Sequence, residues 1–219
     1  SHLRTRVSGK GMDYKGYNIA VHEFGHNVEQ TISLYDVDYY TLAGVPNTAF
    51  TEANAFLFQD RDLTLLGIND ENPEKEKLQT LDAAWSLMEI MGVSMVEMEV
   101  WKWMYENPEA TPAQLKEKTI AIAIDIWNRY FAPVLGVNDS PLLAIYSHMI
   151  NGPLYLQNYA YGQIIQFQIE EHLKGKDFSD EVDRMYSLGR LTPQHWMNQA
   201  TGTKISSQPL IRALDEALK

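Results

Sequence analysis

The chain has 219 residues, 45% of them hydrophobic, which is ample for one core and short for two domains. Its net charge of -11 argues against nucleic acid, which needs a basic stripe, and against acidic membrane surfaces. With no cysteine there is no disulfide scaffold and no thiolate-ligated zinc, and no apolar run is long enough to cross a bilayer.

The chain opens on Ser1-His2-Leu3 without an initiating Met and without a signal-peptide pattern, so it reads as a tagged, processed or partial chain. His2 is expected in a tag or loop, and a soluble chain is expected, with a cytoplasmic setting slightly favoured. Strand signals are scarce. Only Leu3 to Ser8 and Tyr35 to Leu42 have extended character, and a short hairpin is allowed there.

The first strong element is helical. His22-Glu23-Phe24-Gly25-His26 is H-E-x-x-H, and a helix puts positions i and i+4 on one face, so His22 and His26 can grip one Zn²⁺ through Nε2 or Nδ1. Glu23 then stands where a general base for water at the open position belongs. Val21, Phe24, Val28 and Ile32 recur at helical spacing on the side away from the two histidines, which predicts a stripe facing a core.

A catalytic zinc wants three protein ligands and one open position. The next candidate is Glu52, in a helix opened by Asn47 or Thr48 as N-cap, with Ala49, Ala53 and Phe56 at helical spacing. A lone acid among Ala and Phe is costly to bury unless something pairs with it, and a dication does. Asp36 and Asp38 are rivals in a polar, Tyr-rich stretch that reads as loop. Six residues after His26 stands Ile32, so the third His of a metzincin is missing.

Beyond an acidic loop at Asn69 to Glu76, Lys77 to Tyr105 reads as one long helix or two, with Gly92 as the expected kink. Its Met88, Met91, Met95, Met98, Trp101 and Met104 read as a helix-packing stripe. Thr111-Pro112 starts another helix, with Ile120, Ile124 and Trp127 along it. Pro153 to Leu173 reads as a helix ended by Gly175, which would put Tyr155 and Tyr159 on one face. Thr192-Pro193 and Ser207-Gln208-Pro209 open two short terminal helices, and His172 and His195 are expected at the surface. No repeat or linker interrupts the chain, so residues 1–219 are taken as one mainly helical domain.

Three segments in this order resemble the thimet oligopeptidase and oligoendopeptidase F family of zinc peptidases. They are Tyr17 to Gln30 with H-E-F-G-H and a Glu in a helix shortly beyond; His148 to Gly162, similar to the family's His-then-P-x-Y-x-x-x-Y-A-x-G; and Ser187-Leu188-Gly189-Arg190 with the helical residues that follow. The middle, about residues 70 to 140, matches only in being helical. The resemblance implies the C-terminal catalytic portion of a helical zincin-like peptidase that hydrolyses oligopeptides, with one Zn²⁺ on His22, His26 and Glu52. It implies that His148, Tyr155 and Tyr159 bind substrate and stabilise the transition state, a task suited to Tyr O–H and His N–H donors. The His-to-Tyr spacing is one residue longer than in the oligoendopeptidases. Gly162 also stands where the thimet branch has a further Tyr, so the assignment among Tyr155, Tyr159 and Tyr161 stays open.

Such peptidases are longer than this chain, which implies a peptide substrate and, as partner, the remaining N-terminal part of the same peptidase. Neither nucleic acid nor membrane is an expected partner. The alternatives are a non-catalytic zinc-binding helical domain on the same scaffold and a purely structural helical protein.

Overall fold

The computed structural model describes residues 3–68, 72–146 and 148–219, with only the backbone of His148 and Ile150. Among them the chain is mainly helical. Its helices are α1 (Tyr14–Tyr35), α2 (Thr48–Gln59), α3 (Asp62–Leu65), α4 (Lys75–Glu106), α5 (Pro112–Tyr130) and α6 (Ala132–Leu135). After α6 come α7 (His148–Asn151), α8 (Gln157–Leu173), α9 (Phe178–Tyr186), α10 (Pro193–Thr201) and α11 (Gln208–Ala217). No helix among the described residues is long and apolar enough to cross a membrane.

The helix starts follow local capping chemistry. Asp13 accepts from the Gly16 N–H at 2.7 Å, and Asn47 accepts from the Ala49 N–H at 3.0 Å; each offers an acceptor to an otherwise orphaned donor. Thr111 and Gln114 form a reciprocal capping box with Pro112 in the first turn of α5. Pro193 and Pro209 stand in the first turns of α10 and α11 as expected.

Two expectations are corrected and one open alternative is resolved. The hairpin is absent: among the described residues the only β feature is an isolated bridge between Ser8 and Gly11, Tyr35 belongs to α1, and Tyr40–Leu42 is a 3-10 turn. Without a neighbouring strand, aromatic residues gain nothing from extension. Secondly, of the two alternatives for the long segment α4 takes the first, one continuous helix through Gly92, where an added Cβ would lie 2.6 Å from the Phe131 ring. That glycine serves close packing. Thirdly, α8 starts at Gln157 and not near Pro153, because Leu154 takes a left-handed conformation (φ 58°) that a right-handed helix does not admit.

The chain divides into two compact units, Ser1–Ala84 with Tyr161–Lys219, and Trp85–Ala160. The first is centred on Phe50, Leu57, Ile165, Ile169, Tyr186 and Trp196, all buried. Phe50 and Trp196 meet edge-on at 4.9 Å between ring centres, and the Tyr186 hydroxyl donates to the Phe50 carbonyl at 3.2 Å. Burying each such aromatic stabilises by about 1.5–3 kcal/mol, and an edge-on pair adds about 0.5–1.5 kcal/mol. The second unit has its own core of Val93, Val96, Ile126, Trp127, Phe131 and Leu156. Of the methionine stripe, Met88 and Met95 pack against this core, whereas Met98 is exposed.

Three of the four residues of the predicted α1 stripe, Val21, Val28 and Ile32, face the first unit's core, and only Phe24 departs from it. Val21 is buried, but Phe24 is 45% exposed, and Gly25, Glu29 and Ser33 complete the buried line. The physical reason is a close crossing. A Cβ on Gly25 would stand 2.7 Å from the Ala55 Cα, so α1 meets α2 almost backbone to backbone. The Asn54 side chain clamps that crossing by donating to the Gly25 carbonyl at 2.8 Å.

Candidate metal centre

The α1–α2 crossing brings three sequence-distant groups together. His22 and His26, one turn apart on α1, point their Nε2 atoms at Glu52 Oε2 on α2, at 3.4 and 3.7 Å. The three ligand atoms all lie within 4.8 Å of one another. Around a tetrahedral zinc with bonds of about 2.0–2.1 Å, neighbouring ligand atoms stand roughly 3.3 Å apart, and the two His-to-Glu distances come near that spacing. The Glu52 side chain is 1% exposed, and the histidines are 16% and 17% exposed, which leaves an approach from the histidine side. Asp36 and Asp38 are exposed and are not part of this group.

A third helix packs against α2 at the base of the Glu52 side chain. An added Cβ on Gly162, in α8, would lie 2.7 Å from the Glu52 Cβ and 3.2 Å from the Ala49 carbonyl oxygen. The glycine that departs from the thimet pattern is therefore required here by packing, and a tyrosine in its place would collide with α2.

Behind His22 a chain of hydrogen bonds fixes its protonation pattern. Asp62 is buried, and its Oδ2 accepts from the Asn18 side-chain amide and from the Tyr14 hydroxyl, each at 2.7 Å. Because a carboxylate only accepts, Asn18 turns its NH₂ to Asp62 and its carbonyl to Gln59, whose amide donates at 2.6 Å. The Gln59 carbonyl then faces His22 Nδ1 at 2.8 Å, so Nδ1 carries the proton. In the neutral ring this tautomer turns the Nε2 lone pair toward Glu52, an arrangement that a cation between them turns into attraction. An imidazole held in one tautomer by an outer partner is how metal-ligating histidines are oriented.

His26 is pushed below the ordinary histidine range, first by burial and next by His22, against the opposing pull of Glu52 and Glu23. Neutral imidazole is the form that ligates. Glu23 lies half-buried on α1, its backbone carbonyl accepting from the Asn27 amide at 2.9 Å. One turn beyond His26, buried Glu29 is raised above the usual carboxylate range by desolvation, against hydrogen bonds from Ser33 and Thr51; Ser33 Oγ donates at 2.6 Å. Of the remaining histidines, His195 is exposed and His172 pairs with Glu181 at 2.8 Å.

Tyr155 and Tyr159 belong to the second unit. Tyr155 precedes α8 and Tyr159 lies in its first turn, yet their rings meet at 5.3 Å because the backbone closes on itself there. The Asn158 N–H donates to the Tyr155 carbonyl at 2.9 Å and the Tyr159 N–H to the Leu156 carbonyl at 3.3 Å. Tyr161 is 54% exposed. The backbone of His148 is in α7, and its side chain lies outside the described residues.

Sequence reasoning missed Gln59, Asn18, Asp62 and Tyr14. A partial signal existed: Asn18 stands four residues before His22 on the same helix face, and Gln59 stands seven residues after Glu52. No protein-family model matches the chain, and no curated protein matches it.

Proposed function

We propose that this chain is the catalytic portion of a zinc-dependent metallopeptidase that hydrolyses peptide bonds in oligopeptides. The observation that carries this reading is the convergence of His22, His26 and Glu52 with His22 Nε2 left as an acceptor. These three residues would hold the ion. When bound, Zn²⁺ supplies Lewis-acid polarisation of the scissile carbonyl and lowers the pKa of a water.

Glu23 takes a proton from the attacking water and delivers it to the leaving amine, so that one carboxylate acts first as base and then as acid. The water oxygen bonds to the carbonyl carbon, the C–N bond breaks, and the products are a carboxylate and a protonated amine. The family resemblance gives His148 and Tyr155 or Tyr159 the role of donors to the negative charge that develops on the carbonyl oxygen. Gln59, Asn18 and Asp62 keep His22 oriented.

The test pairs metal binding with turnover. One zinc per chain is expected by elemental analysis, abolished in His22→Ala, retained in Glu23→Gln. A quenched oligopeptide should be cleaved by the zinc-loaded chain, and Glu23→Gln should lower that rate by about three orders of magnitude or more, since base and proton carrier go together. Zinc retained with no cleavage above the Glu23→Gln background would remove the peptidase reading and leave a metal-binding domain.

A further inference from the structure

The Tyr155–Tyr159 segment depends on a residue that no motif singles out. Leu154, just before Tyr155, has φ 58°, a left-handed conformation that side-chain-bearing residues rarely adopt. Its own side chain is 41% exposed, so packing of that side chain does not hold it there. Its backbone is held at both ends: the carbonyl accepts from the side-chain amide of Gln157, three residues on, and the N–H donates to Glu97 Oε1 at 2.5 Å, its one long-range tie among the described residues.

Glu97 sits on α4 and is 1% exposed, between Val93, Val96 and the rest of the second unit's core. Its Oε2 makes no hydrogen bond, and neither does the buried Ser94 hydroxyl one turn earlier on the same helix. A carboxyl group buried against a single N–H is a poor source of stability, and an apolar side chain would suit that core better. What the acid does supply is one acceptor, aimed at the backbone N–H of the residue at which the chain turns. Immediately afterwards Leu156 is fully buried and α8 begins, so the turn sets where both tyrosine rings stand.

We propose that Glu97 is a positioning residue: its carboxylate holds the left-handed turn at Leu154 and thereby places Tyr155 and Tyr159. Its catalytic consequence rests on the reading of these tyrosines as donors to the developing oxyanion; the structural part does not.

The test uses the zinc-loaded full chain and reads amide hydrogen exchange at residues 154–160 together with kcat and KM. Glu97→Leu fills the core but removes the acceptor. It should speed exchange at Leu154 and Tyr159 about tenfold or more, and lower kcat about tenfold with KM and zinc content near wild type. Adding Leu154→Gly should recover most of both losses, because glycine holds the left-handed conformation without a latch. Glu97→Gln keeps an acceptor oxygen and should stay within about threefold of wild type. If Glu97→Leu does not fold, Glu97→Ala is read the same way.

Unchanged exchange at Leu154 in Glu97→Leu overturns the proposal. So does a loss spread over the whole chain that Leu154→Gly fails to reverse, since that marks an ordinary core residue. Local loosening with kcat unchanged in an active enzyme would overturn the positioning role. If no variant, wild type included, cleaves peptide, the exchange data still decide the latch, and the failure falls on the peptidase reading alone.

Discussion

The three candidate ligands stand on two regular helices, whereas Tyr155 and Tyr159, the candidate tyrosine donors, follow directly on a turn whose Leu154 is left-handed. In the first region rigidity comes from backbone contact. Gly25 and Gly162 let α1 and α8 close on α2, and Asn54 and Gln59 tie the pieces with side-chain hydrogen bonds. In the second region the left-handed turn is tied from outside by the Leu154 N–H donating to a buried acid on α4. The lesson is that helix-borne ligands inherit their geometry from main-chain periodicity, while a turn has to be held from outside.

Substitutions in and around the two regions break or sharpen that comparison. The largest effect is expected at Tyr159. Tyr159→Phe should lower kcat by about 10²–10³ while zinc content and KM stay near wild type, as for loss of a donor used only in the transition state. Running Tyr155→Phe and Tyr161→Phe beside it ranks the three, with exposed Tyr161 expected to matter least; wild-type rates in all three would return them to packing.

Next comes Gly162→Ala. Its new Cβ would meet the Glu52 Cβ and the Ala49 carbonyl, neither of which is the end of a flexible chain. Overpacking of this kind costs about 1–3 kcal/mol, visible as a lower urea midpoint, and zinc affinity should fall with it. An unchanged midpoint would mean that the α8–α2 crossing is looser than these distances require.

Gln59→Leu tests orientation without touching a ligand. Losing the partner of His22 Nδ1 should weaken zinc binding about 10–100-fold in a chelator competition. Affinity equal to wild type would show that the helix alone orients His22.

The smallest effect concerns pH. Asp60 accepts a hydrogen bond from the Gln166 amide, and burial, with nearby Glu170, pushes its carboxyl up to about 6. The folded chain thus holds a proton that the unfolded chain releases near 3.8, so this group's contribution is present below that value and is lost as pH rises through about 6. Asp60→Asn should therefore gain stability relative to wild type between pH 4 and about 6.5, measured by urea unfolding at both ends. Glu181 provides the opposite slope. Hydrogen bonding from Arg184, then from His172, draws its carboxyl down to about 2, so its contribution is present above 4.5 and is lost as pH falls from there through about 2. A Glu181→Gln variant should lose its difference from wild type in acid.

Local chemistry by itself determined the mainly helical class, the positions of most helices and the pairing of His22 with His26, because periodicity and caps act within a few residues. Asn47, Thr111 and Pro193 announce their helices in the chain itself. Glu52 was legible as an acid stranded among apolar residues. The start of α8 was not, because Leu154 is turned by an acceptor 57 residues away on α4. Nor was the departure of Phe24 from the α1 stripe, where Gly25 is buried because α2 lies against it and Phe24 is left partly exposed. Only the tertiary structure decided that Glu52 meets both histidines, that Gln59, Asn18 and Asp62 select the tautomer of His22, and that Glu97 bends the segment before Tyr155. Each of these is a contact between residues far apart in the chain or on different elements, made by close packing and directed hydrogen bonds that no local pattern encodes.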